Sequence, residues 1–201
     1  MSNLLTAEGP LYRGCVWIYR VMILTFLWLL FNCAIITIGP STIALFVVSS
    51  KLVRGEEVHL FQTFFKSFKS YFFKGLILSA MMYVFGLNIV LCFNELRLTS
   101  SILGLISVLH LVLIFEMVII LLYTVPLISR YDSSLFIALK NSFLIGNHHL
   151  FTSLTGCMLV LLAVFFYYLS PILFMIIGGG LFAFIWSWML KRVLDRYEKV
   201  N

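Results

Sequence analysis

The stretch Val21–Val53, "VMILTFLWLLFNCAIITIGPSTIALFVVSSKLV", decides the fold. It holds no charged side chain until Lys51. A membrane helix needs about 20 apolar residues to cross roughly 30 Å of hydrocarbon, so this run is too long for one crossing and too short for two full ones. The Gly-Pro-Ser-Thr break inside "TIGPSTIALF" (Thr37–Phe46) accounts for the mismatch. Proline lacks an N–H and steers the preceding residue away from helical geometry, yet it fits the first turn of a new helix. Ser41 and Thr42 add hydroxyls that satisfy backbone groups locally. Gly39, Pro40, Ser41 and Thr42 therefore read as a helix break: one segment over 21–38, a tight turn, and a short segment over 41–53. At 1.5 Å per residue the short segment reaches only about 20 Å. It either crosses or re-enters with its tip inside the membrane. A single kinked helix through 21–53 would run about 50 Å, too long for one crossing without strong tilt.

The rest of the chain agrees that lipid is the solvent. Of 201 residues, 62% are apolar or aromatic and only 11% are charged, where a soluble domain has about 25% charged residues. One small core cannot bury so much apolar surface. The expected fold is an all-α integral membrane protein: a bundle of about six transmembrane segments, one short or re-entrant, with cytoplasmic amphipathic helices. The segments fall at 21–38, 41–53, 75–94, 102–128, 150–169 and 172–190 in a single polytopic domain, 1–201. Amphipathic helices are expected over 59–73 and 133–145. No small-residue cleavage site follows the first apolar segment, which reads as an uncleaved span with its N-terminus in the cytoplasm.

Charge supports this threading. With both ends inside, all of the 14 Lys and Arg except Arg97 fall on the cytoplasmic side, as the positive-inside rule demands. The kinked-helix alternative moves Arg13 and Arg20 to the outer side beside Arg97. The net charge of +6 is explained by this bias, and no nucleic-acid partner is called for. The chain is expected in the cell membrane, multi-pass, with cytoplasmic N- and C-termini. Trp17, Trp186 and Trp188 lie beside basic residues, where interfacial anchors belong, and Trp28 lies deeper, between helices.

"HLFQTFFKSFKSYFFK" (His59–Lys74) has helical period. Phe61, Phe64, Phe65, Phe68 and Phe72 share one face, and Gln62, Lys66, Lys69 and Ser70 the other. Phe61, Phe64, Phe65, Lys66, Phe68, Lys69 and Phe72 are the candidate contacts to the membrane surface or to a partner. "FQTFFKSF" (Phe61–Phe68) and "LFIALKNSF" (Leu135–Phe143) each precede a span and follow an apolar segment ending in arginine. They suggest a parallel internal repeat with a shift of about 74 residues.

Glu116, in "LIFEMVIILLY", is the acid nearest the middle of a span. A charge there costs on the order of 3 kcal/mol unless it is neutralised or paired, so it should face protein or water. Tyr123 shares its helical face. The two are candidate binding residues for a proton, a cation or a polar substrate; a packing carboxylic acid is the alternative. Asn32 and Asn88 read as interhelical hydrogen-bonding groups, and Gly178–Gly180 as a site of close helix approach. Cys15, Cys33, Cys92 and Cys157 have no metal or disulfide spacing, and His148 and His149 lack further ligands in reach. No zincin, nucleophile-elbow, P-loop or dinucleotide-binding pattern is present. The expectation is a non-enzyme with no cofactor and no metal.

"TIGPST" (Thr37–Thr42), "KLVRGEE" (Lys51–Glu57) and "FFKSFK" (Phe64–Lys69), with "ALKNSF" (Ala138–Phe143) further on, resemble the YesL family of bacterial membrane proteins. Family genes often neighbour components of carbohydrate ABC importers. The resemblance thus implies an accessory membrane subunit in carbohydrate uptake, contacting the importer's permease or ATPase. It carries over no catalytic residue. The alternative is a stand-alone carrier or channel for a small solute or ion, built on the broken helix at Gly39–Pro40 and on Glu116.

Overall fold

The computed structural model describes residues 10–96 and 101–198. Arg97, the basic residue assigned to the outer side, lies outside the described residues. Apolar sequence folds as helix because lipid leaves no other way to satisfy backbone groups. The chain forms α1 (Pro10–Asn32), a 3-10 turn (Ile35–Thr37), α2 (Ile38–Arg54), α3 (Leu60–Ser70), α4 (Phe72–Leu96) and α5 (Ser101–Tyr131). Then come α6 (Leu135–His148), α7 (Leu150–Leu169), α8 (Pro171–Leu173), a π-helical turn (Phe174–Gly178) and α9 (Gly179–Glu198). No strand occurs among the described residues. Among the described residues, five stretches are long and apolar enough to cross a membrane: Gly14–Asn32, Phe72–Asn94, Val108–Tyr131, Leu150–Leu169 and Pro171–Asp195. The expected all-α membrane bundle is what forms, with α2, 17 residues long, as its short segment.

The helix break lies earlier than the sequence reading put it. α1 stops at Asn32, and the reversal occupies residues 33–37. Gly39, Pro40, Ser41 and Thr42 are the first turns of α2, not the turn itself. The reason is the proline: its missing N–H does no harm at the start of a helix, so α2 begins just before it. Thr37 closes the turn, its hydroxyl lying 2.5 Å from the carbonyl of Phe31 and 2.6 Å from that of Ala34. The Trp28 indole N–H donates to Thr42 Oγ1 at 3.2 Å, and the Ser41 hydroxyl donates to Asn32 Oδ1. α1 and α2 are thus a helical hairpin. Gly55 ends α2 at φ 81°, where its N–H bonds to the Leu52 carbonyl and that of Glu56 to the Lys51 carbonyl. This cap needs the left-handed backbone that glycine adopts freely.

α2 is the centre of the bundle, enclosed by α1, α3, α4, α5 and α9. Ile43, Ala44 and Val48 on it are fully buried. α1 runs against α9: the Trp17 ring meets Phe184 at 5.1 Å, and the Gly180 N–H donates to Thr25 Oγ1 at 2.9 Å. α5 runs with α9, because Leu122 meets Trp186 and Arg130 pairs with Asp195 at 2.5 Å. α4 runs against α5, tied by Lys74 to Asp132 at 3.0 Å. Lys191 donates to the Val53 carbonyl at 3.3 Å. The C-terminal ends of α2, α5 and α9 and the start of α4 therefore gather their charged residues at one end of the bundle.

α3 folds back on α2, and α6 folds back on α5. Each buries a serine, Ser67 and Ser142, and each leads into a span. Both amphipathic helices thus pack on the segment before them and precede a span.

Two sequence assignments change. Trp186 is no interfacial anchor: it is fully buried, while Trp188 is half exposed. Asn88 bonds within its own helix, to the Val84 carbonyl at 3.2 Å, rather than to a neighbour.

Candidate functional site

A proline inside a helix frees the carbonyl four residues before it, and a bare carbonyl in an apolar span needs a donor from elsewhere. The Ile36 carbonyl, in the turn before α2, lies 2.8 Å from the Ser79 hydroxyl of α4. Ser79 Oγ also accepts the Gly39 N–H at 2.8 Å. Pro126, inside α5, frees Leu122, whose carbonyl accepts the Trp186 indole N–H at 2.7 Å.

The hairpin tip is clasped by α4. A Cβ on Gly39 would stand 2.0 Å from the Gly75 carbonyl oxygen, and one on Gly75 would stand 2.4 Å from Pro40 N. Only glycine at both positions lets these backbones touch. The signal was present in the sequence as Gly75 and Ser79, a small-xxx-small pair on α4. It becomes legible only when the partner helix is known. Beside the clasp lies a cavity of about 430 Å³, lined by Trp28, Thr42, Met82, Val164, Tyr167 and Phe182 among others. No charged side chain lines it, so apolar matter is what it accepts.

Glu116 and Tyr123 are both met by α6 and the start of α7, but by different groups. The Asn147 amide donates to Glu116 Oε2 at 3.4 Å, a long bond to a half-buried carboxylate. Tyr123 is fully buried. Its hydroxyl accepts from Ser153 Oγ at 3.2 Å, and its ring meets the Trp186 edge at 5.7 Å. Gly146 lies against Ile119 and Tyr123. Tyr123 is thereby a packing residue of the α5–α6–α7–α9 junction, and Glu116 stands nearer the edge of it. Asn147, Ser153 and Trp186 complete this junction. The sequence reading missed the pairing because a lone Asn at a helix end carries no mark of its distant partner.

The aromatic face of α3 is split. Phe64 is fully buried and Phe68 half-buried, both against Phe31 of α1 at 5.5 and 4.8 Å between ring centres. Phe61, Phe65, Lys66 and Lys69 are exposed. Phe72 is half-buried against Phe68 at 5.8 Å. On α6, Phe136, Ile137 and Lys140 are exposed in the same mixed manner. Where α4 begins, burial first and the neighbouring Asp132 carboxylate second push the Tyr71 phenol above its ordinary range.

Residues 21–94, which hold the hairpin, α3 and nearly all of α4, match the family described as "Protein of unknown function, DUF624". This match agrees with the resemblance to the YesL family carried by those residues. The whole hairpin clasp lies inside the matched stretch. The uncharacterized protein YteU of Bacillus subtilis (strain 168) is 29% identical over 166 residues, covering 81% of this chain and 74% of that protein. No solved structure matches the chain. Of the stretches that carry the YesL resemblance, "TIGPST", "KLVRGEE" and "FFKSFK" lie within residues 21–94 and "ALKNSF" lies beyond them.

Proposed function

We propose that the chain is an accessory membrane subunit of carbohydrate uptake by an ABC-type importer, with α3 and α6 as its contact elements. The observation that carries this reading is the division of α3. One side is sealed into the bundle by Phe64, Ser67 and Phe68, and the other presents Phe61, Phe65, Lys66 and Lys69 to the surroundings. A helix so fixed is a rigid platform, and aromatic side chains with basic neighbours suit a protein surface at the inner face. The resemblance to the YesL family adds the implied link to sugar importers. Both termini and the basic end of the bundle are assigned to the cytoplasm by the positive-inside rule.

The test is co-purification of the tagged full chain from native membranes in mild detergent, together with sugar uptake after deletion of its gene. Importer subunits should be retained, uptake should fall, and Phe61→Ser with Phe65→Ser should release the subunits. No importer subunit retained together with unchanged uptake sinks the proposal.

A second reading, a stand-alone carrier, is favoured by the half-buried Glu116 and its partner Asn147. Reconstituted vesicles decide it. Solute or ion flux that falls on Glu116→Gln supports the carrier; flux that is absent or indifferent to the substitution removes it.

A further inference from the structure

The crevice between α7 and α9 has the chemistry of an amphiphile written along it. At the charged end of the bundle lies a pocket of about 290 Å³, lined by Thr152, Thr155, Trp188 and Arg192 among others. A second cavity of about 560 Å³ is lined by Leu159, Leu162, Phe166, Leu181 and Ile185 with other apolar side chains. The two share the same faces of the same helices. On α7, Thr152, Thr155, Leu159, Leu162 and Phe166 recur at three- and four-residue spacing. On α9, Leu181, Ile185, Trp188 and Arg192 do so as well. Side chains so spaced form one stripe. The crevice is therefore continuous: hydroxyl-bearing and basic at one end, wholly apolar beyond it.

The polar end is prepared for an anion. The Arg192 guanidinium lies 4.7 Å from the centre of the Trp188 ring and is exposed. Among the described residues no carboxylate pairs with it. Stacking on the indole fixes the plane of the guanidinium and leaves its edge N–H groups for a ligand. Thr152 lines the same pocket. From Thr152 to Phe166 the crevice runs about 21 Å at 1.5 Å per residue, longer than the ~15 Å hydrocarbon depth of one leaflet.

We propose that this crevice binds one anionic phospholipid. Its phosphate sits on Arg192 and Thr152, and one acyl chain lies along Leu159, Leu162 and Ile185. Charge complementarity selects the lipid: a basic pocket between membrane helices, at the end that the positive-inside rule places against the anionic leaflet, recognises an anionic headgroup. This inference is independent of the importer reading and stands if that reading fails.

Native mass spectrometry of the full chain in mild detergent, with equal amounts of phosphatidylglycerol and phosphatidylcholine, tests it. A single phosphatidylglycerol adduct should dominate by about fivefold, the preference one basic side chain confers at a membrane surface. Arg192→Gln, at an exposed position, should abolish the preference, and Thr152→Val should reduce it. Leu162→Trp, which fills the apolar groove, should lower adducts of both lipids. Equal adducts of the two lipids, or a preference untouched by Arg192→Gln, overturns the proposal. So does displacement of the lipid by excess inorganic phosphate alone, which would mark a headgroup-only site. A dimer in place of the lipid adduct would overturn it too, assigning the crevice to a second copy of the chain.

Discussion

At the scale of single residues, bare carbonyls and their donors explain why polar groups sit where they do. Such a carbonyl in an apolar span is costly, and Ser79 and Trp186 remove that cost from neighbouring helices. Trp186→Phe keeps the ring contact with Tyr123 but leaves the Leu122 carbonyl bare; a loss of about 1–3 kcal/mol is expected. Pro126→Ala in the same background should restore part of it, because an alanine in place of the proline supplies the missing N–H. Gly75→Ala acts more harshly, since its Cβ would meet backbone rather than a movable side-chain tip. The clasp must open, at about 1–3 kcal/mol. Thermal unfolding in detergent measures all of these, and a Gly75→Ala protein as stable as the parent would contradict the clasp. Tyr71 adds a pH dependence. Its phenol is pushed up by burial and by Asp132, so the folded state holds the proton more tightly than the unfolded chain does. The stabilisation is fully present below the ordinary tyrosine pKa of about 10 and fades as pH rises through the folded value. Ultraviolet titration should show one tyrosine ionising late. Asp132→Asn should bring it only part of the way back, because burial is the larger cause.

At the scale of elements, α3 shows what periodicity can and cannot say. The 3.6-residue pattern locates α3 from its phenylalanines, but the helix expected over 59–73 ends at Ser70, and Phe72, expected on the same face, opens α4. It did not show that the face is wide enough to divide between Phe31 inside and the surroundings outside. That division depends on α1 ending where Phe31 reaches α3, a long-range fact with no local mark. The hairpin break was misplaced by a few residues for a similar reason. Proline marks the beginning of α2 rather than the turn, and Cys33–Thr37 reads as plain apolar sequence. Glu116 was legible as an anomaly, but its partner Asn147 lay hidden on another helix. The divided face gives a clean comparison. Phe64→Ala empties a fully buried site and should cost about 3–5 kcal/mol. Phe61→Ala, on the exposed side, should leave the unfolding temperature within a degree or so, as surface substitutions do. Equal losses at the two positions would mean that α3 is covered on both faces in the isolated chain.

At the scale of the whole molecule, the hairpin, the ion pairs and the charge distribution make a single argument about threading. The ends of α2, α5 and α9 carry Arg54, Arg130 and Lys191, and contacts among them hold these ends together. A helical hairpin returns α2 to the side from which α1 set out, so Arg20 and Arg54 are kept on one side without requiring α2 to be long. The reversal, with Cys33 and Ile36 exposed at its tip, sits beside Gly75 and Ser79 near the start of α4, so it does not reach the opposite end of the bundle. Cys33 is a natural reporter of how far that tip travels. In a protein carrying Cys15→Ser, Cys92→Ser and Cys157→Ser, a membrane-impermeant maleimide should fail to label Cys33 in intact cells. With Cys33→Ser added and Glu57→Cys introduced in the loop between α2 and α3, labelling should require permeabilised membranes. Cys33 protected from both sides places the tip within the hydrocarbon and makes the hairpin re-entrant, which the short length of α2 allows. Cys33 labelled in intact cells would carry the tip to the outer surface and contradict its place beside the start of α4.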